Sequence, residues 1–188
     1  VDVPAVDMVA FLSPRRSLVD IVQATGRAMR RSPGKTTGYV LVPLYVELAA
    51  GETVEAAVNR AKFDEVWDVL QSLQEQDHVL AEIIRAMREQ RGRTKGFDDA
   101  KFRMRVEIRG PSFSLEAIRN AIATSCIERL GDLWDERFGE LETFKARFGH
   151  CNVPQTSVEY PELATWVLTQ RSRREKLDQE RVSRLEQI

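Results

Sequence analysis

The sequence lacks any long hydrophobic run. None of its 188 residues lies in an apolar stretch approaching the roughly 18 to 20 residues that a membrane helix requires. The first residues contain neither a basic leader nor a signal cleavage site. We therefore expect a cytoplasmic protein with no membrane partner.

Cysteine is also scarce. Cys126 and Cys151 are far apart, and no Cys or His accompanies either of them at the spacing of metal ligands. This pattern supports neither a zinc site nor a disulfide framework. We expect two structural thiols and no metal centre.

Net charge is nearly absent, at -1, but the charges are segregated along the chain. The segment 47–82 has nine acidic and two basic residues, whereas 85–109 has nine basic and four acidic ones. A phosphate backbone responds to a local face and not to an average charge. With 43% hydrophobic and 30% charged residues, the chain is typical of a globular protein that could still bind a polyanion.

Residues 1–48 show a strand, a helix and a second strand. The apolar segments Val6–Leu12 and Gly38–Leu44 are both typical of buried strands. Between them, apolar residues at helical spacing predict a helix from about Leu18 to Arg30. This order predicts a βαβ unit and hence a parallel sheet.

Residues 49–131 are predicted to form a helical connector. Helical periodicity extends from Thr53 to Leu73, and Asp77 can cap a further helix that ends near Gly92, before a linker over 92–96. Apolar and charged residues then alternate over 102–109, which predicts a half-exposed strand. Residues 132–188 follow as a small all-α module with a core around Trp134 and Trp166. The fold class is thus mixed α/β and mostly helical.

Two short motifs near the start resemble those of superfamily 2 helicases. The segment 23–30 reads Q-A-T-G-R-A-M-R and matches motif VI, Q-x-x-G-R-x-x-R. Asp2-Val3-Pro4 resembles the tail of motif V. Short patterns recur by chance, but here the strand, capped helix and second strand follow in the order found in that family. The resemblance implies that residues 1–48 are part of the second RecA-like lobe, and we expect the chain to be a fragment of a longer bacterial helicase.

The resemblance also implies residue roles. Arg27 and Arg30 would act as arginine fingers on the phosphates, and Gln23 would position the attacking water or couple the site to nucleic acid. Asp2 would contact the ribose, and Gly26 would belong to the nucleotide site. Permanently charged, planar guanidinium groups suit the charge that spreads over a transferred phosphoryl group. The alternative is that the arginines are solvated residues of an amphipathic helix, and that Asp2 is only a turn residue.

The tail resembles the helicase-associated domain. The pattern W-x3-F-x2-L-x2-F fits Trp134 to Phe144, and G-H, V-P, W-V and Q-R pairs follow in order, with Ala164 where that family usually has Gly. We expect this module, residues 132–188, to be truncated and its aromatic residues to form a core. Basic residues in the chain could contact phosphates. The alternative is ordinary helix-surface charge. The candidate nucleic-acid-binding residues are Arg15, Arg16, Lys145, Arg147, Arg171, Arg173 and Arg174.

Two helicase signatures are missing from the sequence. It contains neither a G-x-x-x-x-G-K-[ST] phosphate loop nor an acidic tetrad for magnesium. The resemblance therefore implies that ATP and Mg²⁺ are held mainly by a missing N-terminal lobe, and that this monomeric chain does not hydrolyse ATP alone. One hypothesis is a nucleic-acid-dependent ATPase with a tail that binds DNA or RNA. The other is a tail that docks a motor subunit onto a protein partner, as in a restriction or genome-defence complex.

Overall fold

A computed structural model describes residues 6–11, 18–53, 56–57, 60, 64–110 and 115–188. Within these ranges the chain forms two compact units. The first contains the residues up to Ile84 together with Asp99–Leu130, and the second contains Arg85–Asp98 together with Gly131–Ile188. No helix in the described ranges is both long and apolar enough to cross a membrane.

The predicted βαβ unit is present in the first unit. Strand β1 (Met8–Ala10) and strand β2 (Tyr39–Leu41) pair in parallel, with helix α1 (Leu18–Met29) between them in the chain. Their register pairs Val9 with Val40. The parallel pairing of strands joined through a helix confirms the sequence-based topology. The RecA-like identity of this unit remains a prediction.

The expectation that both strands are buried was wrong. Met8, Tyr39 and Leu41 are exposed, whereas the alternate residues Val9 and Val40 pack against a core of Phe11, Ile21 and Val69. The reason lies in the layers of the fold. A parallel sheet is buried on both faces only where helices cover both. In the described residues, helix α1 and a second helix, α2 (Asp64–Gln76), supply the core on one face.

Helix α3 (His78–Thr94) begins where Asp77 was predicted to cap it. The Asp77 Oδ1 atom accepts hydrogen bonds from the backbone N–H groups of Val79 (2.9 Å) and Leu80 (3.3 Å). The helix does not stop at Gly92, so the predicted linker over 92–96 was wrong in its first three residues. Gly92 lies instead against the backbone of another helix, at the Glu136 carbonyl.

The strand predicted over 102–109 was also wrong. Residues Ala100–Arg103 form the short helix α4, and turns follow it. The backbone N–H groups of Arg105 and Val106 donate to the Phe102 carbonyl, which closes the turn locally. A strand would place Phe102 and Met104 on the same face, whereas Phe102 is buried and Met104 projects into solvent. A strand needs a partner strand, whereas these local hydrogen bonds need none. Helix α5 (Leu115–Leu130) then completes the first unit.

The second unit contains three further α-helices. They are α6 (Leu133–Phe148), α7 (Pro161–Ser172) and α8 (Gln179–Glu186), with a 3₁₀ turn at Arg174–Lys176. Gly149 ends α6 with φ 79°, the left-handed geometry that favours glycine. The Asp178 Oδ1 atom accepts from the Arg181 N–H at 2.8 Å and caps α8. Leu141, Phe144, Val153, Leu163, Ala164 and Val167 form the core of this unit.

Candidate functional site

The outward face of α1 carries the three predicted catalytic residues. Gln23, Arg27 and Arg30 are all exposed and are spaced at i, i+4 and i+7. Arg30 lies just beyond the last helical residue, and its N–H group donates to the Arg27 carbonyl at 3.4 Å. Residues at this spacing form one stripe on a helix. The structure therefore brings the three side chains onto a single surface of the first unit.

The opposite face of α1 is anchored inside the first unit. Ile21, Thr25 and Ala28 are almost completely buried and repeat at the same i, i+4, i+7 spacing. Because this stripe faces the core, the stripe with Gln23 and Arg27 has to face outward. The apolar positions of the sequence thus orient the candidate site.

A buried polar cluster sets how α1 packs on α2. The Thr25 and Ser72 hydroxyl groups lie 2.9 Å apart and are both fully buried. The Gln76 Nε2 group donates to Thr25 Oγ1 at 3.1 Å and to Ser72 Oγ at 3.0 Å. A Cβ atom on Gly26 would come within 3.2 Å of Gln76 Oε1, so little space remains beside this position. Gly26 therefore lies at the packing side of α1, next to the cluster.

The carboxyl-terminal end of α1 is held by two residues that lie outside the helicase-like motifs. The Lys35 ammonium group donates to the carbonyls of Val6 (2.7 Å), Arg30 (3.1 Å) and Ala28. A Cβ atom on Gly38 would lie 1.9 Å from the Ala28 carbonyl oxygen, closer than any real contact. The sequence signal for Lys35 is the turn 32–35, which stops the helix.

The Arg27 and Arg30 side chains are both exposed to solvent. Among the described residues, no hydrogen bond or ion pair engages the Arg27 guanidinium group. Three other predicted site residues, Asp2, Arg15 and Arg16, lie outside the described residues.

The basic residues of the second unit fall into two groups. Arg147 pairs with Glu159 and donates to the Tyr160 hydroxyl at 2.9 Å, and these hydrogen bonds raise the pKa of Arg147. Arg171 donates to the Asn152 side chain at 2.7 Å and to the Cys151 carbonyl at 3.2 Å.

Arg174 pairs with Glu186, so three of the five predicted phosphate contacts already have internal partners. Lys145 and Arg173 enter no ion pair with any described residue.

The aromatic residues of the second unit mainly form its core. Trp134 stacks on Phe138 with ring centroids 5.2 Å apart, and it meets Trp166 edge to face at 5.6 Å. The Trp134 indole N–H donates to Gln170 Oε1 at 3.0 Å. Arg184 covers the Trp134 and Phe138 rings at 4.8 and 4.3 Å. These contacts use the ring faces within the protein, so the prediction of a core role is confirmed for Trp134 and Phe138.

Residues 132–188, which contain this aromatic core, match the family model of the helicase associated domain. The chain thus contains a helicase-associated accessory module. The comparisons found no match among curated proteins and none among solved structures. The sequence-based prediction of a helicase-associated domain over residues 132–188 is confirmed.

The helicase-associated domain has a surface groove of about 290 Å³. Its apolar lining includes Trp166, Val167 and Leu185, and Arg171 and Arg174 flank it. Ala164, at the position where the family usually has Gly, is 1% exposed and packs in the core beside Leu163. Ala164 therefore belongs to the core and does not line the groove.

Within the described ranges no three His, Cys, Asp or Glu side chains come together as a metal-binding group. His150 is exposed, and its Nδ1 atom accepts from the Asn152 N–H at 3.2 Å, a local loop contact. Cys126 is fully buried, and burial raises the pKa of its thiol to about 12. Among the described residues, neither side chain has a partner that would make it a nucleophile or a base.

Proposed function

We propose that this chain is the part of an ATP-dependent nucleic-acid helicase or translocase that supplies arginine fingers to a nucleotide held on another lobe. The observation that carries the proposal is the exposed stripe of Gln23, Arg27 and Arg30 in a chain that also contains a helicase-associated domain. Neither feature alone would distinguish a motor protein from other proteins. Together they favour a motor protein over a solvated amphipathic helix.

The chemistry of the stripe suits phosphoryl transfer. Arginine stays protonated at any physiological pH and offers a planar fork of donors to phosphate oxygens. The Arg27 and Arg30 guanidinium groups would stabilise the charge that develops on the phosphates, and Gln23 would orient the attacking water. ATP and Mg²⁺ would be bound mainly by the other lobe, because the present chain contains no phosphate loop.

Steady-state ATPase kinetics test this proposal in the protein that joins this chain to a nucleotide-binding lobe. We expect Arg27→Ala and Arg30→Ala each to lower kcat by about 10³-fold, the effect typical of an arginine finger. Arg31→Ala is the control, since Arg31 is an exposed neighbour outside the motif Q-x-x-G-R-x-x-R. Normal ATPase activity in both arginine variants would reject the proposal.

The helicase-associated domain would act as an accessory nucleic-acid-binding module through Lys145, Arg147, Arg171, Arg173 and Arg174. The exposed Arg173 side chain and the half-buried Lys145 support this role because neither is paired with a described carboxylate. Phosphate contacts release counterions, so affinity for DNA or RNA should fall steeply as salt rises. Fluorescence anisotropy of the whole chain with labelled DNA and RNA measures this slope. Arg173→Ala should reduce its magnitude by about one, whereas Lys176→Ala provides a nearby basic control.

Protein docking is the second candidate role of the same module. Three observations favour it: Arg147 and Arg174 are paired with internal carboxylates, Arg171 is held by a backbone carbonyl, and an apolar groove lies beside them. The salt titration separates the two roles. A docking module would show no salt-dependent binding to nucleic acid at all.

A further inference from the structure

Lys35 lies at a position where three main-chain carbonyls converge. Its ammonium group donates to Val6 O at 2.7 Å, to Arg30 O at 3.1 Å and to Ala28 O. The turn before it is closed by a hydrogen bond from the Lys35 N–H to the Ser32 carbonyl at 3.1 Å, with Gly34 at φ 81°. This turn folds the lysine back beneath the end of α1.

The end of a helix provides a physical reason for a lysine ammonium group at this position. The last carbonyls of a helix have no partner within the helix, and they carry the negative end of its dipole. An ammonium group has three donors and a positive charge, so it can satisfy three such acceptors at once. Two of its acceptors, Ala28 and Arg30, belong to the turn that carries Arg27 and Arg30. The third, Val6, belongs to the segment that leads into β1.

The backbone at Gly38 also packs against the carboxyl-terminal end of α1. A Cβ atom there would lie 1.9 Å from the Ala28 oxygen and 2.8 Å from the Ala28 carbonyl carbon. The start of β2 therefore runs directly against the carbonyl that Lys35 binds. The end of α1 thus contacts both the Gly38 backbone and the Lys35 ammonium group.

We propose that Lys35 is a positioning residue that holds the last turn of α1, and with it the Arg27 and Arg30 side chains, in the geometry needed to reach a phosphate. This inference rests on the proposed function of the arginine stripe. Lys35 itself does not touch the nucleotide, because its three donors already point to Val6, Ala28 and Arg30. It acts through the arginines.

The test is steady-state ATPase kinetics of Lys35→Met in the protein that joins this chain to a nucleotide-binding lobe. We expect kcat to fall by at least about 10-fold while KM for ATP changes less than about 2-fold. Lys35→Arg keeps the charge, but its flat fork cannot serve three converging carbonyls, so it should restore less than half of kcat. Lys101→Met, which removes an exposed lysine of the first unit, is the control for lost charge and should leave kcat unchanged.

A double-mutant cycle separates positioning from general loss of structure. If Lys35 acts through Arg30, Lys35→Met should lower kcat little further in an Arg30→Ala background. An equal fold-loss in both backgrounds would overturn the inference, as would a rise in KM with kcat unchanged. Should Lys35→Met fail to fold, as judged by thermal melting, Lys35→Gln retains two amide donors and allows the same cycle.

The outcomes distinguish this inference from the function on which it rests. Loss of activity in Arg30→Ala with a fully active Lys35→Met would reject the positioning role and leave the arginine-finger proposal intact. Full activity in Arg30→Ala would instead reject the proposed function itself. If kcat falls in both single variants and the two effects are strongly non-additive in the double variant, the result supports the arginine-finger proposal and the positioning role of Lys35.

Discussion

Gly92 on α3 and Gly139 on α6 form a reciprocal backbone contact in the second unit. A Cβ atom on Gly92 would lie 2.0 Å from the Glu136 carbonyl oxygen, and one on Gly139 would lie 2.1 Å from the Glu89 carbonyl oxygen. Neither position can accept a methyl group unless the helices move apart. The absence of two side chains therefore sets how closely these helices approach.

Alanine substitution at either glycine should destabilise this contact. In an exposed helix, Gly→Ala raises the free energy of unfolding by up to about 1 kcal/mol. A decrease in that free energy would therefore report the backbone contact. We expect Gly92→Ala and Gly139→Ala each to cost about 1–3 kcal/mol, as overpacking does. Denaturant unfolding followed by circular dichroism measures the change. Gly96→Ala is the control, because no atom lies within 4 Å of the added methyl group. A stabilised Gly92→Ala would refute the contact.

Loss of the Thr25 hydroxyl should destabilise the first unit. Thr25→Val keeps the shape but leaves the buried Ser72 hydroxyl and the exposed Gln76 amide short of a partner. A buried polar group without a partner costs about 1–3 kcal/mol. Thermal and urea unfolding measure the loss. Thr165→Val serves as the matched control, since the exposed Thr165 hydroxyl only bonds the Pro161 carbonyl of its own helix. Equal effects of the two substitutions would argue against the cluster.

Arg184 should be essential for the stability of the second unit. Its guanidinium group contacts the Asp135 carboxylate at 2.7 Å, pairs with Glu89, and covers the Trp134 ring. Burial raises the pKa of both carboxyl groups, and the charge of Arg184 opposes this shift. Removing one partner of such a partly buried network costs about 3 kcal/mol.

Calorimetric melting of Arg184→Ala tests this expectation. Arg109→Ala is its control, because Arg109 pairs with Glu107 at a fully solvated site, where ion pairs contribute little. A Tm for Arg184→Ala within the error of the parent would exclude the network as a stabilising element. We expect Arg109→Ala to keep the Tm of the parent and Arg184→Ala to lower it.

The Cys126 thiol should make stability fall at alkaline pH. Burial raises its pKa from 9.0 to about 12, so the folded state keeps a proton that the unfolded state loses. This contribution is complete below pH 9 and declines as pH rises from about 9 towards 12, by at most about 1.4 kcal/mol per pH unit. Urea unfolding from pH 7 to 10.5 measures the slope.

Cys126→Ala separates this thiol from other titrating groups. The variant should lose part of the alkaline slope, although it also loses some core volume at all pH values. In the parent, iodoacetamide should label the half-buried Cys151 well before Cys126. Rapid labelling of Cys126 in the native protein would contradict both expectations.

Local signals predicted some elements well and failed at others. The helix over Leu18–Met29 and the cap at Asp77 both follow from residues that are neighbours in the sequence. The alternation over 102–109 was misleading: it predicts that Phe102 and Met104 share a buried face, whereas the helical turn that forms there buries only Phe102. Gly92 was taken for a helix end because a glycine that stops a helix and one that admits a second helix look alike in a sequence.

The amino-acid sequence by itself determined the βαβ order, the face of α1 that bears Gln23 and Arg27, and the aromatic pattern of the helicase-associated domain. These features depend on periodicity and capping, which act between neighbours along the chain. Tertiary structure alone decided that Lys35 reaches Val6, that Thr25 meets Ser72, and that Gly92 lies on a helix backbone. Such contacts join residues far apart in the chain, and their energies depend on distances of a few tenths of an ångström that no local pattern encodes.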